Sequence, residues 1–247
     1  MSVSEQEQAA NGCHDSCVAA KSTSGANHDI MGVGGQKTPK ARSVMEQALH
    51  CRCVDKGVFM KNRFQITEYC HHFLEEYISE GDCCIDATAG NGNDTEFLCQ
   101  RVGKTGKVYA FDIQKEAMEH TRARLSEAGI IDRAELILDG HEHMAEYVSG
   151  EVKAVIFNFG YLPGGDHAIA TRSETSLEAV RQAMSLLQTG GILNLCIYSG
   201  KDTGFEEKEA LLSFLKGLDS KKWLVLVHAY YNRENHPPLP VFVIRLK

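Results

Sequence analysis

The sequence predicts an α/β protein built on a mostly parallel seven-stranded sheet whose last strand runs antiparallel. Three observations carry that expectation. Short apolar runs alternate with segments of helical spacing along most of the chain. Four successive runs end in polar or glycine-rich residues, and open α/β sheets bind ligands at such carboxyl tips. The last two runs are joined by a link that holds Pro237, Pro238 and Pro240 and has no helical spacing, so they should pair antiparallel.

Each element has its own local reason. Gln65 to Tyr77 is a helix through Ile66, Tyr69, Phe73, Leu74 and Tyr77, and Gly81 stops it. Cys83-Cys84-Ile85 is the first strand, Asp86-Ala-Thr-Ala-Gly-Asn-Gly-Asn-Asp94 a glycine-rich turn, and Thr95-Glu-Phe-Leu-Cys99 the start of the next helix. Gly90 and Gly92 permit a tight turn and leave the backbone open to a ligand. The new helix begins with N–H groups that have no intrahelical partner. Lys107 to Asp112 is the second strand, followed by a helix over Lys115 to Ala128 that Gly129 closes. Ala134 to Leu138 forms the third strand and ends at Asp139-Gly140; Val152 to Phe157 forms the fourth and ends at Asn158. Ser173 to Leu187 is a helix with N-cap candidates in Ser173-Glu-Thr-Ser176, closed by Gly190-Gly191. Ile192 to Tyr198, a helix over Phe205 to Leu218, and strands over Trp223 to Tyr230 and Val241 to Leu246 complete the series.

Composition narrows the class. At 247 residues the chain can bury one full α/β core. Residues 1–45 are rich in Ser, Gly, Ala, Asn and Gln and read as a disordered or weakly ordered tail; residues 46–247 form the domain. No apolar stretch reaches the roughly 18 residues that span a bilayer, and the start lacks a basic-then-apolar signal pattern, so a cytoplasmic protein without membrane attachment is expected. A net charge of −7 excludes broad nonspecific nucleic-acid binding. Arg52, Lys56, Lys61 and Arg63 form a local basic cluster, either a solvated linker or an RNA-contacting arm. Cys83, Cys84, Cys99 and Cys196 lie within elements and read as buried free thiols. Cys13/Cys17, Cys51/Cys53 and Cys70-His71-His72 do not match zinc spacings, so no metal is expected. His141-Glu-His143 reads as a solvated helix start rather than a ligand set.

The glycine turn suits a dinucleotide or an adenosyl group. The third glycine of a dinucleotide fingerprint falls at Thr95 and is missing. Asp112, at the tip of the second strand, can accept both hydroxyls of a ribose, and Asp139 can take an adenine amino group. A parallel sheet closed by an antiparallel hairpin is the Rossmann-like arrangement of class I methyltransferases. A nicotinamide-dependent oxidoreductase would continue with another βα unit.

Asp86-Ala-Thr-Ala-Gly-Asn-Gly-Asn-Asp-Thr95, Phe111-Asp-Ile-Gln114, Phe157-Asn-Phe-Gly-Tyr-Leu-Pro-Gly-Gly-Asp-His167 and Ile197-Tyr198 together resemble one family, the bacterial tRNA 5-aminomethyl-2-thiouridine methyltransferases once labelled rRNA methylases. The resemblance runs from about Phe64 to the C-terminus, and Pro237-Pro238 after Asn235-His236 matches its late Asn-Pro-Pro signature. Two positions depart from it. The family typically has His where Asn93 stands, which touches cofactor-loop chemistry. It often has His after the Tyr198 strand, where this chain has Ser199-Gly-Lys201 on the substrate rim.

The resemblance implies S-adenosylmethionine as methyl donor and a tRNA wobble uridine with a 5-aminomethyl and a 2-thio group as acceptor, giving the 5-methylaminomethyl nucleoside. The partner is then the tRNA anticodon stem-loop. A homodimer is a candidate assembly. The candidate cofactor contacts are Asp86, Gly90, Asn91, Gly92, Asn93, Asp94, Thr95, Asp112, Ile113, Gln114, Asp139, His141 and Asn158. The candidate substrate contacts are Tyr161, Pro163, Gly164, Gly165, Tyr198 and Arg63.

Methyl transfer is an in-line displacement that needs alignment and a neutral amine, whose unperturbed pKa is near ~10.4. Desolvation beside a sulfonium lowers that value. Asn158 can accept one amine N–H and turn the lone pair toward the methyl, whereas a carboxylate would favour the ammonium. Asn158-Phe-Gly-Tyr161 resembles the Asn-Pro-Pro-Tyr loop of amino-group methyltransferases, and Tyr161 can stack on a flipped base. His167 can take the released proton; Asp166 can share that work or cap its turn. Cys196 lies inside a strand and offers no nucleophile. Three alternatives compete: methylation of another RNA or a small amine, nicotinamide chemistry, and a silent adenosyl-binding scaffold.

Overall fold

The structure, a computed structural model, describes residues 65–160, 172–199, 204–234 and 237–247. Its elements follow the expected alternation: α1 (Ile66–Leu74), β1 (Cys83–Asp86), α2 (Asn93–Val102), β2 (Lys107–Phe111), α3 (Lys115–Glu127), β3 (Ala134–Ile137), α4 (Met144–Tyr147), β4 (Val152–Phe159), α5 (Ser173–Leu186), β5 (Leu187–Ile197), α6 (Phe205–Lys216), β6 (Trp223–Val227) and β7 (Leu239–Arg245). The sheet order is β3-β2-β1-β4-β5-β7-β6. The pairs from β3 to β5 are parallel, and β7 pairs antiparallel with both β5 and β6. This is the class I methyltransferase sheet that the sequence predicts. The boundary expected between residues 45 and 46 lies outside the described residues.

Central strands of such a sheet are covered on both faces and read as continuous apolar runs. In β4 the alternation decides what each face meets. Val155, Phe157 and Phe159 face the α5–α6 side with Ala179, Val180 and Leu211. Ala154 and Ile156 face the α1–α2 side with Leu74, Leu98 and Val102. With a period of two, Asn158 falls on the face of Ile156, toward α1 and α2. Burying each phenylalanine contributes on the order of 1.5–3 kcal/mol.

The chain order also makes a crevice. From β1 it crosses to β2 on one side, while β4 lies on the other. That reversal is where open α/β sheets leave a cleft at the carboxyl ends of their strands.

Four local expectations need correction. First, β4 runs on to Phe159, two residues beyond the expected end at Phe157, because Asn158 and Phe159 continue the ladder to Cys196 and Ile197. Second, Gly190-Gly191 does not close α5. Leu187 is already extended (φ −67°, ψ 129°) and pairs with Val152, and the two ladder stretches of β4 and β5 differ in register. A Cβ on Gly191 would stand 2.8 Å from the Gln188 carbonyl oxygen, so the glycines serve a strand irregularity. Third, no side chain caps α5: its N-cap residue is Arg172, the Thr175 hydroxyl turns back to the Arg172 carbonyl, and buried Ser176 donates to Glu207 at 2.5 Å. β6 also ends early, at Val227, where the His228 N–H bonds the Pro240 carbonyl.

Candidate active site

The turn after β1 is held from several sides. Asp86 is fully buried; its carboxylate accepts from the Thr88 N–H (3.1 Å) and the Thr95 hydroxyl (2.6 Å). Gly90 and Gly92 have φ of +52° and +78°, and a Cβ on Gly92 would lie 2.9 Å from Thr121 Cα. The turn is therefore pressed against α3, and a side chain there would clash with backbone. Asn91 reinforces the contact: Arg124 donates to its carbonyl (2.8 Å), and its side chain meets His120 (3.1 Å). Thus the Asn91 side chain points to α3, and Thr95 spends its hydroxyl on Asp86. Asn93, the departure from the family pattern, is exposed at the start of α2.

Beyond β2, Asp112 accepts from the Gly90 N–H (3.0 Å) with one oxygen and from the Gln114 N–H (2.9 Å) with the other. Each oxygen keeps a lone pair. Ile113 beside it is 62% exposed, an uncovered apolar surface at the cleft. Beyond β3, Asp139 is engaged locally: it accepts from Gly140 N–H, His143 Nδ1 and the Tyr147 hydroxyl. Those bonds, Tyr147 first, hold its carboxyl below the usual range.

The reading of His141-Glu-His143 divides. His143 is exposed, as expected. His141 instead packs edge-on against Phe157 and Phe159, with Nδ1 3.2 Å from the Ala87 carbonyl. Burial lowers its pKa below the ordinary histidine value, so the ring is neutral at pH 7. Nδ1 then carries the proton toward the carbonyl, and Nε2 is an acceptor.

The tip of β4 is fixed by residues distant in sequence. The Asn158 N–H donates to the Thr88 hydroxyl (2.7 Å), and its Nδ2 to the Asp94 carboxylate (2.6 Å). His71 on α1 donates from Nε2 to the other Asp94 oxygen at 2.5 Å. The His71 ring lies flat on Phe97, with centroids 3.9 Å apart and planes at 4°. Tyr198 closes this side: a Cβ on Gly160 would stand 3.3 Å from its Cβ, and burial pushes its hydroxyl pKa up.

Three carboxylates thus crowd one turn. Burial raises the Asp86 pKa well above the carboxylate range, and the charges of Asp94 and Asp112 add to it. The thiol of Cys196 is buried 3.4 Å from that of Cys70, and both that hydrogen bond and burial push its pKa up, so it remains unreactive core.

Tyr161, Pro163, Gly164, Gly165, Asp166, His167 and Arg63 lie outside the described residues. Among the described ones, the structure brings Asp86, Gly90, Gly92, Asp94, Asp112, His141 and Asn158 into contact around one turn. His71 is the residue that sequence reasoning missed. Its signal was there only as Cys70-His71-His72, weighed for metal binding.

Known proteins decide what family this is. A family model described as "Putative rRNA methylase" matches residues 108–244. The chain belongs to that rRNA methylase family. A chloroplastic tRNA (mnm(5)s(2)U34)-methyltransferase of Arabidopsis thaliana is 39% identical, over 76% of this chain and 72% of its own. A solved rRNA-methylase of Clostridium thermocellum is 50% identical, with a TM-score of 0.71 over 72% of this chain and 95% of its own. A Streptococcus mutans methyltransferase, solved with S-adenosylhomocysteine, is 38% identical, with a TM-score of 0.68 over 74% of this chain and 98% of its own.

This methylase is therefore an S-adenosylmethionine-dependent RNA methyltransferase. Its residues fit that cofactor. The turn lacks a Cβ where the backbone is most crowded, Asp112 keeps acceptor capacity, and the clustered carboxylates favour a cationic sulfonium. No helix among the described residues is long and apolar enough to cross a membrane.

Proposed function

We propose that this methylase acts on the amino group of 5-aminomethyl-2-thiouridine at the tRNA wobble position and yields 5-methylaminomethyl-2-thiouridine. One observation carries the reading: the Asn158 amide, at the tip of β4 beside the glycine turn, gives its NH2 to Asp94 and so keeps its carbonyl oxygen for a donor. A neutral primary amine is such a donor, and the name of the Arabidopsis relative specifies a wobble uridine of this type.

S-adenosylmethionine supplies an electrophilic methyl on a sulfonium. In this reading Asp112 accepts the ribose hydroxyls, Gly90 and Gly92 let the chain pass close, and Ile113 covers one adenine face. Asp139 and His141 Nε2 stand near the adenine edge, and Gln114, Asn93 and Asn91 line the rim. Asn158 Oδ1 accepts one amine N–H and aims the lone pair. Tyr161 and Tyr198 seat the base, Pro163-Gly164-Gly165 shapes its pocket, His167 with Asp166 receives the proton, and Arg63 meets phosphate. The anticodon stem-loop is the partner, residues 46–247 form the catalytic domain, and the cytoplasm is the compartment.

The test is nucleoside mass spectrometry after incubation with tRNA bearing 5-aminomethyl-2-thiouridine, unmodified transcript and ribosomal RNA. Methylation of the first alone is the expected result. Equal methylation of unmodified transcript, or of ribosomal RNA alone, overturns the wobble assignment.

A further inference from the structure

We propose that His71 and Asp94 are positioning residues that hold the Asn158 amide in the one orientation able to receive the acceptor amine; this rests on the wobble-amine reading above. The two ends of a side-chain amide have nearly the same shape, so sterics alone do not choose between them. Turned the other way, Asn158 would point NH2 at an amine that also carries N–H groups, and the lone pair would lose its guide. The Asp94 carboxylate, 2.6 Å from Nδ2, makes the choice because it accepts and does not donate.

Asp94 in turn needs a second donor. It is buried in the first turn of α2, near Asp86, and one carboxylate oxygen is all that Asn158 can satisfy. The His71 Nε2 proton takes the other at 2.5 Å. The ring cannot drift, since it lies on Phe97, three residues along the same helix as Asp94. Without that donor the buried carboxylate has an unpaired oxygen, and rotating to recover a partner releases Asn158. α1 therefore contributes to the site from outside the βαβ unit that forms the cleft.

A merely structural role for His71, joining α1 to α2, predicts something different. It would lower stability and leave the fate of Asn158 unchanged. The full chain is compared with His71→Phe, which keeps the stack and loses the donor, His71→Gln, which keeps a donor, and Asp94→Ala, each also in an Asn158→Ala background. Single-turnover rates use saturating S-adenosylmethionine and tRNA bearing 5-aminomethyl-2-thiouridine. Calorimetry reads S-adenosylhomocysteine affinity, and 15N NMR reads the Asn158 side-chain NH2.

We expect Asp94→Ala to slow transfer by about 30–100-fold and His71→Phe by about tenfold, as misplacing a reactive group does. Affinity for S-adenosylhomocysteine should stay within about threefold in His71→Phe, His71→Gln should recover most of the rate, and neither loss of rate should appear once Asn158 is alanine, since residues acting as one unit are non-additive. Equal losses in His71→Phe and His71→Gln, losses that persist in full in the Asn158→Ala background, or cofactor affinity falling in step with rate in His71→Phe overturns the proposal. If the wild-type protein fails to methylate this tRNA, the wobble reading falls by itself. The NMR signal then still decides: an NH2 resonance unmoved by His71→Phe and Asp94→Ala overturns the positioning role, and one that shifts in both supports it.

Discussion

The turn after β1 and the tip of β4 meet at one cleft, yet they are held in different ways. The turn is tied mainly by backbone: glycine conformations, N–H groups on the carboxylates of Asp86 and Asp112, and the Asn91 carbonyl under Arg124. The tip of β4 is tied by side chains from elsewhere, Thr88, Asp94 and, through Asp94, His71. Backbone anchoring suits a site that must always accept the same adenosyl group. Side-chain anchoring sets one amide's direction, which is what selecting an acceptor requires. The first region should therefore fail by losing affinity or fold, the second by losing turnover.

The largest effect should come from the second region. Asn158→Ala removes the oriented acceptor and should cut single-turnover rate by roughly a hundredfold, about 2–4 kcal/mol by analogy with losing one preorganised polar group. S-adenosylhomocysteine titration should be nearly unchanged; a parallel loss of affinity would merge the two regions into one. Asp112→Ala should do the reverse. If Asp112 accepts the ribose hydroxyls as proposed, losing that charged acceptor is worth about 1.5–3 kcal/mol, so calorimetry should register at least about a tenfold weaker S-adenosylhomocysteine complex.

Gly92→Ala probes the fold of the turn itself. A Cβ at φ +78° and 2.9 Å from Thr121 Cα should cost on the order of 1–3 kcal/mol, read as a lower urea midpoint. An unchanged midpoint would mean that α3 yields freely. Asp86→Asn should have the smallest effect at acid pH, and its effect should depend on pH. The folded-state pKa of Asp86 is raised, so its protonated form is the one that folding favours. Wild-type stability from this group is present below the unfolded value near ~3.9 and is lost as pH rises through the higher folded value. The melting temperature of Asp86→Asn relative to wild type should therefore climb between about pH 4 and pH 7 and level off above that. A flat difference would show that Asp86 stays ionised throughout.

Much of the architecture was legible because its signals are local. Short apolar runs mark β2 to β4, and Gly129 past the end of α3, at φ +67°, does what a helix-closing glycine does. Asp86, Gly90 and Asp112 could be named because a strand tip and a turn are short-range patterns. The expectations for Gly190-Gly191 and for the Ser173–Ser176 cap failed where a distant partner won: Val152 drew Leu187 into the sheet, and Glu207 took the Ser176 hydroxyl.

The sequence by itself determined the element order, the antiparallel finish, the glycine turn and the polar residues at the strand tips, since each depends on neighbours within a few positions. Only the tertiary structure decided which way the Asn158 amide points and that His71 belongs to its surroundings. Asp94 lies 64 positions from Asn158 and 23 from His71, and no spacing rule links them. They meet because Asn158 and Ile156 share one face of β4, because α1 and α2 pack on that face, and because a buried carboxylate must find donors where the fold has put them.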